Sequence, residues 1–182
     1  MEEAKWSHES ALLCTDIMVE PTFIIPTQIR DALRSSTGDI EAARRWVMSA
    51  VREDTLSAVM WSAAAYEEKL SFVRLALARG ADPNDFKTVR FGGEPETQIQ
   101  KITLLCLVSA RARKSSPRFI DLLIRWGAKV QRNQATITTK LEDDRLVVYR
   151  CSPLAYAFLS VSLRKGHLAV AITLLRAGAP YR

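Results

Sequence analysis

The chain has 182 residues, 48% of them hydrophobic and 25% charged, ordinary values for one domain with a real core. No apolar run approaches the roughly 18 residues of a membrane-spanning helix. Two histidines and three widely spaced cysteines, with no CxxC, leave a zinc site short of ligands. The net charge of +6 is unevenly divided: residues 1–100 hold 11 Lys and Arg against 16 Asp and Glu, a net −5, and residues 101–182 hold 15 against 4, a net +11.

Residues 1–26 read as an N-terminal arm or cap. Its first residues, Met-Glu-Glu-Ala-Lys, lack the basic start and apolar block of a signal peptide. Three apolar clumps, at residues 11–13, 17–19 and 23–25, argue against disorder. The arm either folds back over the first helical unit or docks on another protein. Cys14, Cys106 and Cys151 are an odd count at wide spacing. They suit a reducing compartment, so an intracellular location, cytoplasmic or nuclear, is expected.

Pro26-Thr27 opens a short helix over about residues 27–35. Gly38 breaks it, and Asp39 caps a second helix that runs to about residue 51. Asp39 and Glu41 lie where the helix macrodipole favours acids. A third helix spans about residues 55–66. Residues 70–84, LSFVRLALARGADPN, then form a helix apolar on most of its surface, a glycine stop at Gly80 and an Asp-Pro-Asn exit turn.

That unit recurs. Residues 119–130, FIDLLIRWGAKV, and 170–181, VAITLLRAGAPY, repeat it, and residues 38–47, GDIEAARRWV, are a weaker copy. Gly80, Gly127 and Gly178 should therefore have positive φ. Ser116-Pro117 and Ser152-Pro153 are in the order of N-cap and first helical residue. The intervals between the glycine stops are 47 and 51 positions, and the excess lies mainly in residues 85–102 and 129–150. In the second of these, two β-prone runs, 136–141 and 145–150, flank an acidic turn and predict an antiparallel hairpin. The first predicts a weaker hairpin around Gly92-Gly93.

These units resemble the ankyrin repeat. Gly80-Ala81-Asp82-Pro83-Asn84 matches the exit of that repeat, Ala64-Ala65 its paired alanines, Ser152-Pro153-Leu154-Ala155 its T-P-L-H slot and Gly166-His167 its Gly-His pair. Val59-Met60-Trp61-Ser62 and Thr103-Leu104-Leu105-Cys106 occupy the T-P-L-H slot in a degenerate form. The resemblance covers residues 27–182. It implies an all-α fold: an ankyrin-like helical solenoid of about four repeats with two long β-hairpin-like fingers. It also implies binding of folded partners through the concave helices and the fingers. The concave side would carry Tyr66, Glu67, Arg111, Arg113 and Lys114, with Arg164 and Lys165 in the same basic cluster. The fingers would present Arg90, Phe91, Arg145 and Tyr149.

Catalytic signatures are missing from the sequence. It has no P-loop, no GxGxxG and no GxSxG. Asp143-Asp144 is a poor cation cage, and Cys106 and His167 read as structural residues without a catalytic neighbour. No catalytic residue, cofactor, metal or small-molecule substrate is expected. The expected function is a non-enzymatic protein–protein interaction module, an adaptor or regulator whose partner has an acidic surface. The alternatives are an accessory structural subunit of a large assembly, or an RNA- or DNA-associated protein using the basic half.

Overall fold

A computed structural model describes residues 18–19, 25–34, 40–50, 52–64, 69–91, 98–131, 135–140, 146–159 and 165–180. Eight helices lie in this part: α1 (Thr27–Arg34), α2 (Ile40–Ser49), α3 (Glu53–Ala64), α4 (Leu70–Ala78), α5 (Leu104–Arg111), α6 (Ser116–Arg125), α7 (Pro153–Leu159) and α8 (Lys165–Arg176). Consecutive helices pack as pairs, α1 with α2, α3 with α4, α5 with α6 and α7 with α8. The pairs meet in chain order: α1 lies against α3, α3 against α5 and α5 against α7, while α2 lies against α4 and α6 against α8.

Three of the pairs end identically. Gly80, Gly127 and Gly178 have φ of +103°, +91° and +85°. Each donates its N–H to the residue three before it, and the alanine that follows donates five residues back. Ala81 donates to Ala76, Ala128 to Leu123 and Ala179 to Leu174, at 3.0, 2.9 and 3.0 Å. These are Schellman motifs, and the alanine and its acceptor residue are buried in all three. A Cβ added to any of the three glycines would touch nothing within 4 Å, so backbone conformation, not space, selects glycine there.

Five strands complete the fold: β1 (Met18–Val19), β2 (Phe86–Phe91), β3 (Gln98–Thr103), β4 (Ala135–Lys140) and β5 (Leu146–Cys151). Both predicted hairpins form, β2 with β3 and β4 with β5, the second with Thr136 opposite Arg150. They do not stand as separate fingers. β3 pairs antiparallel with β4 from Ile99↔Thr138 to Ile102↔Ala135, and β1 adds to β2 at Arg90 and Val89. The result is one antiparallel sheet in the order β1-β2-β3-β4-β5.

The all-α expectation, a helical solenoid with two independent fingers, is thereby overturned: the chain is mixed α and β. The reason is physical. A lone two-stranded hairpin is marginal in water and leaves edge groups unpaired. Joining the hairpins makes β3 and β4 interior strands. It also lets the base of the sheet enter the core, where Ile102 and Ala135 are fully buried. Helices follow the strands with little or no linker, α5 directly after Thr103 and α7 after Ser152 alone. At the start of β2, Asp85 accepts from Ser57 Oγ of α3 and pairs with Lys87 Nζ at 2.9 Å, fastening the sheet to the helices.

Ser152 caps α7, accepting from the Ala155 N–H at 3.1 Å, with Pro153 first in the helix. Ser116 does not cap α6 forward. Its Oγ accepts from the Arg113 N–H at 2.9 Å and so closes the turn before the helix. Of the N-terminal arm, Met18–Val19 lies on the sheet edge and Ile25 in the core. The apolar clump at residues 11–13 lies outside the described residues.

Candidate functional site

The predicted binding residues fall into two regions, which the fold keeps apart. The first is the turn between α5 and α6. Arg111 is the last residue of α5 and half-buried, while Arg113 and Lys114 are exposed. The turn is shaped by Ala112, which holds a left-handed backbone at φ +42°, ψ +43° and donates to Val108 at 3.3 Å. An alanine in that region is uncommon and marks a constrained turn.

The N-terminus of α8 is pressed onto this turn: a Cβ built on Gly166 would sit 1.8 Å from the Ala112 carbonyl oxygen. Lys165, the first residue of α8, thus has its backbone beside the Arg111–Ala112–Arg113–Lys114 turn. Two basic segments distant in sequence become neighbours. Arg118, in the first turn of α6, is also exposed. His167, one residue past the contact, is buried.

The second region is the sheet. Arg90 and Phe91 close β2, opposite Ile99 and Gln98, and Tyr149 lies on β5 opposite Ile137. β2 and β5 are three strand spacings apart, roughly 14 Å, so these residues do not form one cluster. Tyr66, Glu67, Arg145 and Arg164 lie outside the described residues.

Two cations that charge clustering alone did not single out come forward from the register. Lys87, Ile102, Ala135 and Cys151 form one cross-strand row, and Thr88, Lys101, Thr136 and Arg150 form the next. Successive residues of a strand face opposite ways. The row through Ile102 and Ala135 enters the core, and Lys101 and Arg150 in the next row are exposed. Lys101 Nζ stands 5.4 Å from the centre of the Phe86 ring, a cation–π distance. Counting pairs back along the second hairpin from its acidic tip is the signal that finds Arg150.

Cys106 is buried within α5. Burial pushes the Cys106 thiol up to about 12, so at neutral pH it is protonated. Among the described residues neither Cys106 nor Cys151 is in a disulfide. Among the described residues, no three His, Cys, Asp or Glu side chains gather as a metal site, and no helix is long and apolar enough to cross a membrane. No protein-family profile, curated protein or solved structure matches the chain.

Proposed function

We propose that the chain is a non-enzymatic protein-interaction module whose basic half receives an acidic surface of a partner protein. The observation that carries this reading is the approach of Gly166 to Ala112, which sets the start of α8 against the Arg111–Lys114 turn. Cations gathered on one turn, as Arg111, Arg113 and Lys114 are, raise the local potential, steer an anionic partner and select against a basic one. The +11 balance of residues 101–182 acts in the same direction. The likeness of the helix-stop units to ankyrin repeats supports a binding role, since arrays of such units bind folded proteins. An odd count of widely spaced cysteines, Cys14, Cys106 and Cys151, supports a reducing compartment, cytoplasmic or nuclear.

The test uses fluorescently labelled polyglutamate as an acidic probe and a short single-stranded RNA as its competitor class. Arg113 and Lys114 are exposed, so Arg113→Glu with Lys114→Glu leaves the core alone. That double change should weaken polyglutamate binding about tenfold, or about 1.4 kcal/mol, and flatten its salt dependence. Glu41→Lys, at an exposed site in the acidic half, should do much less. Equal small effects from both would sink the reading. RNA bound more tightly than polyglutamate, with a steep salt slope, would replace it with a nucleic-acid role.

A further inference from the structure

β5 is the outer strand of the described sheet, paired only with β4. Proteins ordinarily blunt such edges with short strands, proline, lysine or a bulge. Among the described residues no strand pairs with the outer side of β5. β5 reads Leu-Val-Val-Tyr-Arg-Cys, without proline, glycine or lysine. It is as long as the interior strands β3 and β4, and its pairing with β4 runs unbroken from Ala135↔Cys151 to Lys140↔Leu146. An outer antiparallel strand turns alternate N–H and C=O groups away from its sheet. The opposite edge shows what this fold does with such groups: Met18–Val19 adds there as a further antiparallel strand.

We propose that the β5 edge is the docking site for an extended segment of an acidic protein partner, which joins the sheet as a sixth strand. Main-chain hydrogen bonds supply the affinity of such strand addition, and alternate side chains supply the selectivity. On the exposed face β5 offers Val148, 53% exposed, and Arg150 two residues on, in the same row as the exposed Lys101. The fitting segment therefore carries an acid beside Arg150 and an apolar residue beside Val148, two positions apart on one face. Charge also decides against a second copy of this chain on the edge. Pairing β5 with β5 would bring together two +11 halves, and like charge opposes that association. The inference rests on the protein-binding reading above but uses a different surface from the Arg113–Lys114 turn.

Hydrogen–deuterium exchange on the full chain tests it with three synthetic probes: a Val-Glu peptide of repeat Val-Thr-Glu-Thr, which puts Val and Glu two residues apart on one face, a Val-Lys peptide of repeat Val-Thr-Lys-Thr, and the Val-Glu peptide with a central proline. At ten times its dissociation constant the Val-Glu peptide should slow exchange of the outward-facing amides of Leu146–Cys151 about tenfold. The Val-Lys and proline peptides should not. Arg150→Glu should reverse the preference between the Glu and Lys peptides. Protection of β5 should persist in the Arg113→Glu, Lys114→Glu variant. Val-Glu binding without protection of β5, or no binding while polyglutamate still binds, overturns the edge site and spares the protein-binding reading. Failure of both probes overturns both. Protection of β5 that grows with protein concentration alone, alongside a dimer in sedimentation, assigns the edge to a second copy and overturns the proposal.

Discussion

Asn84 ties two helix stops together across 43 residues of sequence: its Nδ2 donates to the Gly127 carbonyl at 3.0 Å, and its Oδ1 accepts from the Lys129 N–H at 2.8 Å. The same residue is held in its own turn by Asp82, whose Oδ1 accepts the Asn84 N–H at 2.8 Å. One helix pair earlier, Arg79 Nη2 reaches the Ala50 carbonyl at 3.1 Å. The turns of successive pairs are thus bonded to one another as well as stacked through their helices. Both bonds of Asn84 are solvent-exposed, so each contributes modestly. Asn84→Ala should cost about 1–2 kcal/mol in urea denaturation, at roughly 0.5–1.5 per bond. Asn84→Asp keeps the acceptor for Lys129 and loses only the donor, and should cost about half as much. Equal costs for the two would show that the Lys129 bond contributes nothing.

Glycine is required for two different reasons in this chain, and substitution separates them. At Gly127 the surroundings are open and φ is +91°, so Gly127→Ala costs only the strain of a left-handed alanine, about 1–2 kcal/mol. At Gly166 a Cβ would overlap the Ala112 backbone. Relief needs α8 to move off the turn, an overpacking cost of about 3 kcal/mol or more. Gly166→Ala should therefore destabilise more than Gly127→Ala in the same titration. It should also weaken polyglutamate binding by moving the start of α8 away from the Arg111–Lys114 turn. Full retention of binding would show that the juxtaposition does not form the acidic-partner site.

Local chemistry was legible in the sequence, and non-local pairing was not. A glycine after an apolar helix and a Ser-Pro before one act within a few residues, and the three positive φ values and the Ser152 cap follow from them. Each hairpin was legible for the same reason. The pairing of Ile99–Ile102 with Ala135–Thr138 joins two insertions separated by α5 and α6, and nothing within either one specifies it. The turn at Arg113 and Lys114 announced itself by its charge. The contact that gives it a neighbour did not, because Gly166 looks like any helix-start glycine until Ala112 is placed against it. Lys101 and Arg150 are isolated cations in sequence and become row-mates only through β4.

The joined sheet has a stability consequence that independent fingers would not. Ile102 is fully buried where β3 meets β4 and the helices. Ile102→Ala should cost about 2–5 kcal/mol, the range for deleting a buried aliphatic side chain. Lys101→Ala, one residue away on the exposed face, should stay within about 0.5 kcal/mol, as surface changes usually do. Denaturation midpoints of the two variants make the comparison. A small loss at Ile102 would mean that the strands contribute little to the cooperative unit.

Alkaline pH should expose the buried thiol. The Thr103 hydroxyl donates to Cys106 Sγ at 3.5 Å, which favours the thiolate, but burial dominates and raises the thiol to about 12. In the unfolded chain the same thiol ionises near its ordinary value, about 8.5. Between these values the unfolded state has released a proton that the native state keeps, so stability falls as pH rises. The contribution of Cys106 is complete below about pH 8.5 and is lost progressively toward about pH 12, at no more than about 1.4 kcal/mol per pH unit. Cys151, half-buried and also raised by burial, slopes the same way. Urea denaturation of the native chain and of Cys106→Ala at several pH values from about 8 to about 11 isolates the Cys106 share, since the other groups titrate in both. The native chain should lose stability faster than the variant over that window. Parallel curves would show that Cys106 ionises at the same pH folded and unfolded, and that α5 is open to solvent at that position.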